Sequence, residues 1–203
     1  MTHRVVDAHG SFICVGQPWS VINCRGTLAQ RQATANKHGV VCYAECHLNA
    51  AATKIVPYSC AIVPSHATPH CLAWAKHAVK LAAAEFGISN GGVITKGRGT
   101  GNISSVRAPA LLFEPLFISD PANFAANGET IDALGRVLAQ SIRDYFSPGM
   151  VGLSVGHLYR GNGDTGAPVA HLAGEVIDPE FDTEGELNDA YAKSATEFLL
   201  SYR

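Results

Sequence analysis

Short apolar runs rich in Val, Ile and Leu alternate with amphipathic, well-punctuated segments from one end of this chain to the other. That alternation constrains the fold more than any other feature. Residues 4–7, 40–48, 59–63, 92–95, 109–114 and 151–155 read as strands bounded by turn residues. Thr27 can cap a helix that runs to Lys37 and is stopped by Gly39, and Thr68 with Pro69 opens another that ends at Gly87. Residues 131–146 place Ile131, Leu134, Val137, Leu138, Ile142 and Tyr145 on one helical face. A capping box, Thr183-Glu184-Gly185-Glu186, starts the last helix, whose stripe is Leu187, Ala190, Tyr191, Phe198 and Leu199. The expectation is an α/β three-layer sandwich. Its mostly parallel central sheet should have about six strands flanked by helices, within a single domain over residues 1–203.

The chain is long enough for a real core: it has 203 residues and 47% of them are hydrophobic. Fifteen Lys and Arg against 17 Asp and Glu give a net charge of −2, which leaves no electrostatic footprint for nucleic acid. No apolar run approaches the length of a membrane span, so no membrane insertion is expected. The opening residues show no basic region followed by an apolar stretch, so synthesis in the cytoplasm without a secretory leader is expected. All six cysteines lie in the first 71 residues and read as reduced thiols, not as a disulfide framework. The run Lys96-Gly97-Arg98-Gly99-Thr100-Gly101 lacks the Gly-Lys-Ser/Thr ending of a phosphate loop and reads as a mobile loop.

Four polar residues fall at or just past strand ends, where an α/β enzyme places its chemistry. His157 follows the run 151–156, and Glu184 stands in the first turn of the last helix, free because Glu186 is the capping partner. His47 shares a strand face with Tyr43 and Glu45 by period-two parity. Glu114 closes an apolar strand, a costly place for a carboxylate that is not paired, coordinated or exposed to a cleft. Two histidines, a glutamate and an open fourth position form a catalytic zinc set, with a separate carboxylate available as base.

Together these segments resemble the zinc-dependent N-acetylmuramoyl-L-alanine amidases of the type-3 class. Arg31-Gln32-Ala33-Thr34-Ala35-Asn36 followed by Tyr43-Ala44-Glu45-Cys46-His47-Leu48-Asn49-Ala50 is similar to the family's "R-x-x-x-A-N … S-I-H-A-N-A" region, whose histidine binds zinc. The segment from Ala108 through Phe113-Glu114 to Asp120 resembles "P-A-V-L-V-E-x-G-F-I-S-N", whose glutamate is catalytic. Gly156-His157 with Asp164-Thr165-Gly166-Ala167 resembles "G-H-G … D-x-G-A", and Glu184-Gly185-Glu186-Leu187-Asn188 resembles "E-K-x-L-N"; these supply the family's other two ligands. The resemblance therefore implies zinc on His157, Glu184 and His47, with Glu114 as the catalytic residue.

The order of the segments is cyclically shifted. Residues 150–203 resemble the family's N-terminal part and residues 1–149 the remainder, as in a circular permutant. The strand at 151–155 should then lie inside the sheet beside a parallel strand. The last helix should end near the strand at 4–7, with Arg203 close to Met1. A competing alignment uses Asp7-Ala8-His9-Gly10 as the opening motif, but no glutamate occurs between His9 and Glu45 to supply the next ligand. His9 is then a residue near the site, behind the ligands, or on the surface.

The resemblance implies hydrolysis of the amide between N-acetylmuramic acid and L-alanine, with peptidoglycan as the partner of a monomer. The 65–69, 96–105 and 159–166 segments would line its groove. A phage-type lysin or another wall hydrolase fits such a chain. The alternatives are a zinc peptidase cutting elsewhere in the stem peptide, and a non-catalytic peptidoglycan-binding or virion-associated protein. Two departures stand out. Glu45 replaces the family's serine, where it could bind zinc, orient His47 from behind or meet solvent, the second being expected. Pro115-Leu116 replaces a small residue and glycine after Glu114.

Overall fold

The computed structural model describes residues 3–51, 57–119, 128–169 and 181–202. The expected approach of Met1 to Arg203 lies outside these. Eight strands and four α-helices follow one another as β1 (His3–Val5), β2 (Phe12–Cys14), β3 (Ser20–Cys24), α1 (Leu28–Lys37), β4 (Cys42–Cys46), β5 (Tyr58–Ile62), α2 (Pro69–Phe86), β6 (Ser89–Ile94), β7 (Ala110–Glu114), α3 (Gly128–Tyr145), β8 (Met150–Val155) and α4 (Glu184–Ser201). The helix ends obey the capping signals. Thr27 and Gln30 form a reciprocal capping box on α1, Thr68 accepts from the Cys71 N–H at the start of α2, and Gly87 closes α2 at φ 63°. At the start of α4 the Glu186 carboxylate accepts the Thr183 N–H at 2.9 Å.

All eight strands form one sheet in the order β1-β2-β3-β8-β4-β7-β5-β6. Its centre, β3-β8-β4-β7, is parallel throughout. An antiparallel β1-β2-β3 meander forms one side, and β5 runs antiparallel to β7 on the other. The sheet thus has two strands more than expected. Both β2 and β3 were missed because a three-residue strand carries no readable period, and Gly16, Gln17 and Pro18 before β3 read as one long turn.

Strand alternation sorts the side chains between two cores. Cys42, Ala44 and Cys46 of β4, with Leu111 and Phe113 of β7 and Val151, Leu153 and Val155 of β8, pack with Trp74, Leu134, Leu138, Leu187 and Tyr191 of α2, α3 and α4. The opposite face buries Tyr43, Ala110 and Leu112 against Ala35 of α1 and against Ile103 and Val106. So one face carries three helices, and the other carries one helix and the 97–107 segment. All six cysteines are free and buried, and all but Cys60 pack within the two cores as small hydrophobes.

The 97–107 segment departs from the mobile loop expected of its glycines. It contains a single 3-10 turn, Thr100–Asn102, and α1 pins it. Gln32 donates to the Gly101 carbonyl and accepts the Ser105 N–H, while Asn36 donates to the Ser105 carbonyl and accepts the Arg107 N–H. Two buried or half-buried amides of one helix therefore replace the backbone pairing that the loop lacks.

The strand at 151–155 enters from α3 through the turn 147–149 and is seated between β3 and β4, parallel to both. The last turn of α4 reaches the meander, where Leu200 Cδ2 would lie 2.5 Å from a Cβ placed on Gly16. Helices α3 and α4 touch most closely at Gly135, where an added Cβ would fall 2.6 Å from Ser194 Cβ and 2.7 Å from the Ala195 nitrogen. Gly135→Ala should therefore cost about 1–3 kcal/mol by overpacking. Gly128→Ala at the open start of α3, where nothing lies within 4 Å of a new Cβ, should cost far less. Denaturant unfolding of the two variants measures the difference.

Candidate metal centre

Because β8, β4 and β7 are parallel neighbours, their carboxyl ends open on the same edge of the sheet, and the polar residues of interest gather there. His47 follows β4, His157 follows β8, Glu114 is the last residue of β7, and Glu184 opens α4. One ligand atom from each of His47, His157 and Glu184 lies within 4.8 Å of the others, a group that could hold a metal ion. Glu184 Oε1 stands 3.2 Å from His47 Nδ1 and 3.2 Å from His157 Nε2, so the inner nitrogens of both rings face one carboxylate oxygen.

The outer nitrogens decide what the inner ones present. His47 Nε2 is 3.1 Å from Glu45 Oε1, and His157 Nδ1 is 3.0 Å from both oxygens of Asp164. A carboxylate there fixes the proton on the outer nitrogen and turns the inner lone pair toward the centre. Three acceptor atoms then converge on one point, an arrangement that needs either extra protons or a cation. The residues present therefore fit a divalent metal with an open position, as in catalytic zinc sites.

The electrostatics record the same demand. Burial works to lower the His47 pKa, but its hydrogen bonds to Glu184 and Glu45 prevail and lift it from 6.5 to about 9. For His157 the hydrogen bond it donates to Glu184 raises the pKa against burial. Burial would raise the Glu184 pKa, but hydrogen bonds to both rings hold it well below the usual carboxylate range. Glu45, wholly buried, is likewise lowered: burial opposes ionisation, and the His47 bond with the nearby Arg31 and Arg160 charges overcomes it.

Buried Arg31, the first of the α1 residues that pack inward, ties down the turn that carries His157. Its Nε donates to the Gly26 carbonyl at 2.7 Å and its Nη1 to Ser154 Oγ at 2.9 Å, and it also donates to the Val155 and Leu158 carbonyls. These bonds hold a turn in which His157 and Tyr159 adopt φ of 66° and 62°, left-handed values that an L residue avoids. Gly156 completes the arrangement, since a Cβ there would run into the His47 ring.

A recess of about 250 Å³ opens above the group, lined by His47, His157, Glu184, Glu114, Arg98 and Arg160 among others. Glu114 is buried and heavily hydrogen-bonded, most of all at Oε2. It accepts from Arg98 at 2.6 and 2.5 Å, from Asn49 Nδ2 at 3.0 Å and from the Cys60 thiol at 3.2 Å. Glu114 lines the recess but does not belong to the metal-binding trio. Of the three segments expected to line a groove, 96–105 and 159–166 contribute Arg98, Gly99, Asn102 and Arg160. The 65–69 segment does not: His66, Ala67 and Thr68 line a separate recess with Arg107 and Ala108. His9 is exposed in the β1–β2 turn, its N–H on Asp7, and it is His157 that joins His47 and Glu184. Glu45 meets His47 at Nε2, while His47 Nδ1 faces Glu184.

The roles of Arg31, Arg98, Asp164 and Arg160 were not assigned from the sequence. Arg31 carried one signal, a charge on the face of α1 that packs inward; the others act across loops whose courses no local pattern sets.

Compared by sequence, the chain matches no protein-family model and no curated protein. Its fold is similar to that of the N-acetylmuramoyl-L-alanine amidase from Clostridium difficile 630, with a TM-score of 0.53 and 19% identity over 59% of this chain and 64% of that one. The likeness spans less than two thirds of that structure's length and is one of fold. The CwlD amidase from Clostridioides difficile, solved in complex with the GerS lipoprotein, gives a TM-score of 0.40 and 15% identity over 44% of this chain and 45% of that one.

Two predictions follow from the geometry. In metal-free protein His47 binds a proton more tightly folded than unfolded. Its stabilisation is therefore complete below about pH 6.5 and lost as pH rises toward about 9. Thermal midpoints should fall across that interval, and saturating divalent metal, which replaces the proton, should flatten the fall. Gly156→Ala should weaken metal binding by on the order of tenfold or more. A chelator competition reads this directly, and an unchanged affinity would remove Gly156 from the site's construction.

Proposed function

We propose that this chain is a zinc-dependent N-acetylmuramoyl-L-alanine amidase, hydrolysing the amide between N-acetylmuramic acid and L-alanine of peptidoglycan. The observation that carries the reading is the convergence of His47, His157 and Glu184, beneath a recess that a further buried carboxylate, Glu114, also lines. Zinc held by those three residues would polarise the scissile carbonyl and lower the pKa of water to about 7. The chain's own residues do the rest. Glu114 accepts the proton of the attacking water and returns it to the leaving amine. Asn49, 3.0 Å away, fixes the carboxylate's orientation. Arg98 must loosen its hold on Glu114 before that carboxylate can act as a base, because a forked guanidinium pair occupies a lone pair on each oxygen and favours the ionised form over the protonated one. Arg98 can move, since its side chain is about half exposed while that of Glu114 is 5% exposed.

The Arg98–Glu114 pair is also the observation that favours a second reading, a non-catalytic peptidoglycan-binding protein on this fold, in which the pair is permanent. Digestion of muropeptides separates the readings. Free lactyl groups on the glycan with new L-alanine amino termini mark the amidase, cuts elsewhere in the stem mark a peptidase, and no product marks a binding protein. Under the proposed reading Glu114→Gln keeps the metal and lowers turnover at least about a hundredfold. An active Glu114→Gln enzyme would falsify the base assignment.

The cyclic order of the segments is part of the proposal: one domain over residues 1–203, with 150–203 standing in for the family's opening. The seat of β8 between β3 and β4 supports it, because β8 there completes the parallel centre of the sheet. A chain re-ordered to place residues 150–203 before 1–149 should fold and bind metal as tightly as the original; loss of folding or of metal binding in it would overturn the cyclic order. No described helix is long and apolar enough to cross a membrane. We propose action on the cell wall as a lysin-type hydrolase and as a monomer.

A further inference from the structure

The two carboxylates behind the histidines belong to different parts of the chain. Glu45 comes from β4, and Asp164 from the turn after β8. One side chain touches both. Arg160 Nη2 is 3.1 Å from Glu45 Oε1, and Arg160 Nη1 is 3.5 Å from Asp164 Oδ2. The way the guanidinium is spent is informative. An arginine that only neutralised Glu45 would fork onto both of its oxygens. Here the fork is split between two carboxylates, and the atoms that a forked pair would use, Arg160 Nε and Glu45 Oε2, are buried without a hydrogen-bond partner. Asn102 supplies the third bond to Glu45 Oε1 at 3.2 Å. The carboxylate that orients His47 and the one that orients His157 are thus held at a fixed separation by a single planar group.

We propose that Arg160 is a positioning residue that couples the two ligand histidines, fixing Glu45 and Asp164 relative to each other so that both inner nitrogens face Glu184 together. This rests on the reading of His47, His157 and Glu184 as a metal site, and it adds that the two rings are set jointly. Shape and charge make different demands. Lysine would keep the cation, but as one compact point of charge it cannot span two carboxylates. If charge alone mattered, Arg160→Lys would be neutral. If the bridge matters, it would not be.

The test uses the whole protein, the variants Arg160→Lys and the apolar Arg160→Met, and the changes Glu45→Gln and Asp164→Asn, separately and combined, in the native and Arg160→Lys backgrounds. Zinc affinity is read by chelator competition, the geometry by the visible absorption of the cobalt(II)-loaded protein, and the metal-free rings by 15N imidazole spectra. We expect Arg160→Lys to weaken zinc by about 10–100-fold, the scale for partners that orient ligands, and to change the cobalt bands. We expect the ring signals of both His47 and His157 to move. The Glu45→Gln and Asp164→Asn effects should be non-additive in the native background and additive once Arg160 is lysine. Unchanged affinity and cobalt bands, movement of one ring only, or the same non-additivity in both backgrounds would overturn the proposal. Failure of the native protein to bind zinc would overturn the metal reading instead, and the 15N spectra of the metal-free variants would still decide whether Arg160 couples the rings. If Arg160→Lys does not fold, the same measurements on Arg160→Met decide.

Discussion

The site hangs on a buried cation that never touches the metal-binding atoms. Arg31 is wholly enclosed, and its donors end on the carbonyls of Gly26, Val155 and Leu158 and on the hydroxyl of Ser154. Charge of this kind in a protein interior is tolerated when every donor is used and an opposite charge lies near. Here the opposite charge is Glu45, whose pull on Arg31 works against burial, although burial prevails and lowers the Arg31 pKa. Helix α1 is thereby bound to the end of β8 and to the turn that carries His157 in a left-handed conformation. Removing the guanidinium would leave several buried carbonyls unpaired and the turn without its reason to stay strained, so one residue distant in sequence decides whether the site exists.

Charge explains why this chain can carry glutamate where the related pattern has serine. Glu45, Asp164 and Glu184 bring three carboxylates to two imidazoles, and Glu114 adds a fourth beside them. Arg160 sits against the first two and Arg98 against the last. The extra negative charge of Glu45 is matched by a cation in the loop opposite. The 97–107 segment shares in this balance: Arg98 reaches Glu114, Asn102 reaches Glu45, and Gln32 and Asn36 of α1 hold the backbone between and beyond them.

Much of this architecture was legible in the sequence, and the parts that were not share a cause. Helix limits could be read because capping is local: Thr27, Thr68, Gly87 and Thr183 act within three or four residues of themselves. Three of the four strands at the parallel centre, β4, β7 and β8, could be read, the last two because strands buried on both faces are near-continuously apolar; β3 could not. Of the meander only β1 could be read, since the three residues of β2 gain their structure from pairing with β1 and β3 and not from a pattern of their own. The four residues at the site's edge stood out by position. The groups that hold them did not, because Arg31 to Ser154 and Arg160 to Glu45 are contacts over more than a hundred residues of chain. A glycine-rich run such as 97–101 is read as loose by its composition, and only its anchors, donated by a helix far upstream, reveal that it is held.

The seat of β8 has a consequence for the time course of synthesis. As the chain emerges from its N-terminus, β3 and β4 are complete long before the strand that joins them, so two long unpaired edges face each other across a gap one strand wide. The same late segment brings His157 and Glu184, so a nascent chain halted before residue 150 holds only His47 of the three ligand side chains. Insertion of β8 thus closes the sheet and brings together, in one event, the three residues that could hold a metal. A truncated product would keep those open strand edges and lack two of the three residues.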